Sequence, residues 1–231
     1  MGEGCRGLVL LDAAGTLIDL AEPVENVYAR VFLQFGWEVP PEVIKAGFRE
    51  TFASLADPDF SGHADGETAE RAWWREVVAR TARAGGVLSS GDDFERCFET
   101  LFHYYARGNA WRAFPEVKEV LEKLRVAGWK LVVVSNFDGR LRTVLSELGL
   151  AQQVDAILTS SDVMARKPSP KLLRAGMDLY PQAERVVHVG DSLKLDDGAA
   201  KAAGVPVFLV QRPEVDLRNL EEWLNFTFLQ K

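Results

Sequence analysis

Cysteine is nearly absent from this chain. Its two residues in 231, Cys5 and Cys97, give no disulfide framework and suit a reducing compartment, so both are expected as free thiols. Histidine is almost as scarce. His63 and His103 show no metal-ligand spacing, and His188, inside the apolar run Val186-Val187-His188-Val189, is expected as a core residue rather than a catalytic base. Basic charge is in deficit: 27 Lys and Arg against 34 Asp and Glu leave a formal net charge of −7. That balance argues against an electrostatic grip on nucleic acid or an anionic membrane, and leaves only a local basic pocket for a small anion. No apolar run approaches the roughly 20 residues that cross a bilayer, and Met1-Gly2-Glu3-Gly4-Cys5-Arg6 lacks the apolar segment of a secretory signal. Arg6 stands where a myristoylation motif wants Ser or Thr. The expectation is a soluble chain, cytoplasmic by default, or in an organelle if a transit peptide has been removed.

What is present is a substantial apolar fraction, 47% of the residues, enough to bury a sizeable core in one large domain or in one domain carrying an insertion. Residues 8–11, Leu8-Val9-Leu10-Leu11, read as a buried strand that ends in the acidic turn Asp12-Ala13-Ala14-Gly15-Thr16. From about residue 22 to 111 the periodicity is helical, broken at Gly36, Pro40-Pro41, Asp57-Pro58, Ser61-Gly62, Gly85-Gly86 and Gly91. Four helices are predicted there, over 24–35, 41–55, 68–84 and 92–106. Phe98, Phe102 and Tyr105 recur at helical spacing, whereas the adjacent Trp73 and Trp74 cannot share a face. These aromatics are expected to pack the helical segment, with one tryptophan free to line a cleft.

Beyond Phe114 helix and strand alternate. Helices are predicted at 115–127, 139–148, 169–179 and 196–203, strands at 131–134, 156–158, 186–189 and 207–209, and a terminal segment carries Trp223. This rhythm predicts an α/β fold with a doubly wound, mostly parallel sheet, and such sheets bind ligands outside the carboxyl ends of their strands. Polar chemistry stands there. Asp12 follows the first strand, Ser135-Asn136 follows 131–134, Gly190-Asp191-Ser192 follows 186–189, and Lys167 lies in the loop after the short strand. Each also has a local reading: Asp191-Ser192 and Asp196 suit a helix cap, Ser135-Asn136 a turn, and Lys167 before Pro168 an exposed loop.

Asp12 to Leu17, Ser135, Lys167 and Gly190-Asp191-Ser192 with Asp196 resemble, in order, the four motifs of the haloacid dehalogenase-like hydrolases. Leu11 to Thr16, with Val134 to Asp138 and Arg140-Leu141-Arg142, look most like one plant subgroup of that superfamily. The resemblance implies an α/β core at 1–20 and 112–231 and a helical cap at 21–111. It also implies a small phosphorylated substrate and Mg²⁺. Asp12 would attack phosphorus to form an aspartyl-phosphate. Asp12, Asp191, Asp196 and the main-chain carbonyl of Ala14 would hold the metal, with Asp196 as ligand or as support for one. Ser135 and Lys167 would serve catalysis and, with Thr16 and Asn136, hold the substrate.

Ala14 departs from the family pattern. Family phosphatases carry there an Asp that protonates the leaving group and then activates water, help typically worth about 10² to 10⁴ in rate, and a methyl group supplies neither. Two readings follow: a hydrolase working without that acid, and a non-catalytic relative that binds a phosphorylated ligand or a protein. The Asp-x-Ala-Gly-Thr pattern also resembles phosphonoacetaldehyde hydrolases, with Lys45 as the one candidate for their cap lysine. True haloacid dehalogenases lack the second Asp too, and Arg49 would be the candidate for their cap arginine.

Overall fold

The computed structural model describes residues 6–87 and 90–229, so the readings placed on Gly2 and Cys5 lie outside the described residues. Five parallel strands form the central sheet: β1 (Gly7–Leu11), β4 (Trp129–Ser135), β5 (Ala156–Thr159), β6 (Val186–Gly190) and β7 (Val207–Leu209), in the spatial order β5-β4-β1-β6-β7. β1 lies at the centre and every one of its residues is buried. Such a strand shows a continuous apolar run instead of alternation because both faces are covered.

Leu8, Leu10, Val132 and Val134 pack against α8 (Lys171–Asp178) and α9 (Asp196–Ala203). Val9, Leu11, Leu131 and Val133 pack on the opposite face against α5 (Val117–Val126), α6 (Arg140–Glu147) and α10 (Leu220–Leu229). Helices on both faces make the sheet doubly wound. Burying each large apolar side chain contributes about 1.5–3 kcal/mol.

The chain leaves the sheet through β2 (Ile18–Leu20) and returns through β3 (Trp111–Ala113), which pair antiparallel as a short ribbon. The division drawn from sequence at 20/21 and 111/112 falls on this ribbon. Between its strands lie α1 (Val24–Gln34), α2 (Pro41–Ser54), α3 (Gly66–Ala84) and α4 (Asp92–Tyr104). Phe32, Ile44, Val78, Phe94, Cys97 and Leu101 belong to a separate apolar cluster between these helices. In α4 the buried positions 94, 97, 98 and 101 trace one helical stripe.

α3 starts two residues earlier than predicted because the Asp65 carboxylate accepts the Thr68 N–H at 2.7 Å and caps it. The four-residue helix α7 (Ser160–Val163) was not predicted. Among the described residues no helix is long and apolar enough to cross a membrane.

Candidate active site

Parallel register brings the strand ends to one edge. Leu11 lies beside Val133 of β4 and Val189 of β6, so Asp12, Ser135 and Asp191 emerge together. The Asp12 N–H donates to the Val189 carbonyl at 2.8 Å, carrying the ladder one residue past the strand and fixing the position of that carboxylate. Gly15 turns the chain back with φ +85°, and a Cβ there would meet Asp191 Oδ2 at 2.5 Å. Only glycine permits both the turn and the close approach of that carboxylate.

Lys167 is not an exposed loop cation. Its ammonium is buried and donates to Asp12 Oδ1 at 2.7 Å and Asp196 Oδ1 at 2.6 Å. The Asn136 amide grips the Lys167 backbone from both sides: Nδ2 donates to its carbonyl at 2.9 Å, and Oδ1 accepts its N–H at 2.7 Å. Asn136, expected to touch substrate, thereby also positions Lys167.

Asp196 stands at the start of α9 with both oxygens engaged. Oδ1 takes Lys167 and the His188 ring Nε2 at 2.9 Å, and Oδ2 accepts the Ser192 N–H at 3.0 Å. The other ring nitrogen of His188 lies 3.0 Å from the Leu10 carbonyl. His188 is thus a core residue, as expected, and also a strut that ties β1 to Asp196. Gly190 is required beside it, since a Cβ would fall 2.2 Å from Asp196 Cγ.

Asp12, Asp191 and Asp196 present carboxylate oxygens that lie within 4.8 Å of one another. Burial, together with the Asp196 charge, raises the Asp12 pKa against the pull of Lys167. Burial also opposes ionisation of Asp196, but the Lys167 ammonium and the His188 hydrogen bond prevail and hold it below the usual carboxylate range. Asp191, exposed at the cleft, is pushed up to about 6 by partial desolvation there and by its two acidic neighbours. Lys167, though buried, is raised by its two carboxylate partners.

These residues open into a cleft of about 490 Å³ that Ala14, Ser135, Asn136 and Ser192 also line. Arg166 was missed from sequence. It lines the cleft, stacks its guanidinium 4.0 Å from the Trp73 ring centroid, and is bonded by the buried Glu70 of α3. Both Trp73 and Trp74 line the cleft, where one was expected. Thr16 is fully buried, and its carbonyl accepts from Arg212 at 3.1 Å. Lys45 pairs with Glu25 at 3.1 Å on the surface, Arg49 is exposed, and neither lines the cleft.

Fold and site together define a class: a doubly wound α/β protein with a carboxylate and ammonium cluster at its strand ends, facing a layer of inserted helices. A family model described as haloacid dehalogenase-like hydrolase matches residues 7–204. The chain is 32% identical over 210 residues to haloacid dehalogenase-like hydrolase domain-containing protein 3 of Homo sapiens, covering 90% of this chain and 82% of that protein. It is 30% identical over 208 residues to a plasmid phosphoglycolate phosphatase of Cupriavidus necator, covering 88% and 80%. A solved HAD-superfamily hydrolase of subfamily IA from Geobacter sulfurreducens superposes with a TM-score of 0.68 at 21% identity, covering 96% of this chain and 97% of that one, a likeness of fold. This chain belongs to the haloacid dehalogenase-like hydrolases. A Mus musculus protein of the same name matches at the same 32% identity.

Proposed function

We propose that this chain is a Mg²⁺-dependent phosphohydrolase that works through an aspartyl-phosphate at Asp12. The observation that carries the reading is the Lys167 ammonium, bonded at 2.7 Å to Asp12 and at 2.6 Å to Asp196 at the ligand edge of the sheet. The donor set suits a divalent cation: three carboxylates within 4.8 Å of one another are all-oxygen ligands. Asp12 and Asp191 would hold the ion with the Ala14 carbonyl. Asp196, whose oxygens already accept three donors, supports the site by anchoring Lys167. Bound Mg²⁺ would supply charge neutralisation between Asp12 and an anionic substrate.

The protein's own groups do the rest. Asp12 attacks phosphorus from a backbone fixed by the Val189 carbonyl, while Lys167 and the buried Ser135 offer donors to the phosphoryl oxygens. Ala14 favours a second reading, a binding protein that retains the site without the acid.

Hydrolysis of acetyl phosphate and of a sugar phosphate, with and without Mg²⁺, separates the two. Metal-dependent turnover of acetyl phosphate that Asp12→Asn abolishes supports the hydrolase. An inert wild type whose Ala14→Asp variant gains activity, by as much as about 10² to 10⁴ over background, supports the binding protein.

A further inference from the structure

A second cavity, of about 410 Å³, opens beside the Asp12 cleft and shares Ala14, Phe52, Trp74, Asn136 and Asp191 with it. Its remaining wall is chiefly aromatic, formed by Tyr28, Phe48, Tyr105, Trp111 and Phe137. The rings are fixed by their own contacts: Tyr28 meets Phe48 edge to face at 5.7 Å, and Trp111 lies 5.5 Å from Phe137.

We propose that the substrate is an aryl phosphate, its phosphate at Asp12 and its ring in this aromatic cavity. The inference rests on the hydrolase reading and adds the class of leaving group. Ala14 lies at the junction of the two spaces, where a methyl group leaves room for a ring and provides no proton. A phenol ionises near pH 10, about six units more readily than water, so a phenolate departs without the help that an alkoxide needs. The missing acid and the aromatic wall therefore select the same ligand.

A sugar would bury several hydroxyls against a wall with few partners for them.

In the first step an Asp12 oxygen bonds to phosphorus as the bond from phosphorus to the aryl oxygen breaks, and the electron pair leaves on the phenolate. Water then bonds to phosphorus and the Asp12 to phosphorus bond breaks. The pair returns to the carboxylate, and both protons of the water leave on dihydrogen phosphate.

The test measures kcat/KM of the full chain with Mg²⁺ for 1-naphthyl phosphate, acetyl phosphate, glucose 6-phosphate and choline phosphate. It adds calorimetric binding of 1-naphthylmethylphosphonate against methylphosphonate. The expected result is a naphthyl ester turned over at least about a hundredfold better than the sugar and choline esters. Phe48→Ala should lower the naphthyl to acetyl ratio about tenfold, and the aryl phosphonate should bind about tenfold tighter than the methyl one. Asp12-dependent turnover of acetyl phosphate with no aryl preference overturns the inference and leaves the hydrolase standing. No turnover with preferential aryl binding removes the hydrolase and the leaving-group step while retaining the ring site. No turnover and no binding preference removes both.

Discussion

Asp191 faces two carboxylates, Asp12 and Asp196, across the candidate site. Partial desolvation and the carboxylates of Asp12 and Asp196 raise its pKa from 3.8 to about 6, and no side chain among the described residues donates to it. A carboxyl raised on folding destabilises the native state when it ionises. The penalty is absent below about pH 3.8, where folded and unfolded chains are both protonated, and fully developed above pH 6. In EDTA, Asp191→Asn should therefore melt higher than wild type at pH 8, and the two should converge toward pH 4. Equal melting temperatures at pH 8 would show that the carboxylates do not repel one another. Asp12 was legible because a continuous apolar run ends on it. The burial of Lys167 was not, since Ala165-Arg166-Lys167-Pro168 carries only loop signals and the partners that bury it are 155 and 29 residues away. His188 was legible as core; its tie to Asp196 depends on the pairing of Leu10 with His188 across the sheet, which no local pattern reveals.

At the scale of elements, α3 joins the inserted helices to the sheet. Glu70 is fully buried and accepts from Ser160 Oγ at 2.5 Å and from the Arg166 guanidinium, while Glu67 one turn earlier accepts the Gly139 N–H at 2.9 Å. Breaking a buried pair by removing one partner costs about 3–5 kcal/mol, because the remaining charge stays desolvated. Glu70→Ala should lower stability by about that amount in urea titrations, and Glu70→Gln, which keeps hydrogen-bond acceptors, by less. A Glu70→Ala midpoint equal to wild type would mean that Arg166 finds water instead. Long elements were legible to within a few residues because their apolar stripes run for several turns. The β2 and β3 ribbon was not, since three residues per strand are too few to show a period of two. The α7 helix does carry a local signal, a capping box in which Thr159 and Asp162 bond reciprocally, but one turn is too short to show an apolar stripe.

Over the whole molecule the described residues form three apolar clusters: two cover the opposite faces of the sheet, and the third, containing Cys97, lies among the inserted helices. A short ribbon, the α3 carboxylates and the Arg140 bond to the Phe102 carbonyl tie the third to the rest. Burial pushes the Cys97 thiol up to about 12, so at pH 8 little thiolate forms and a reagent must wait for the helices to separate. In a Cys5→Ser background, Cys97 should react at least about a hundredfold more slowly in the native chain than in denaturing urea. Adding Glu70→Ala makes that thiol a probe of how the molecule opens. If the inserted helices swing off the sheet as one body, the bonds that break are those from position 70 to Ser160 and Arg166, the cluster around Cys97 stays closed, and labelling remains slow. If the helices instead come apart from one another, labelling accelerates in step with the fall in stability. We expect the first outcome, because the Cys97 cluster is built from α1, α2, α3 and α4 with the loops beside them and takes no side chain from the sheet.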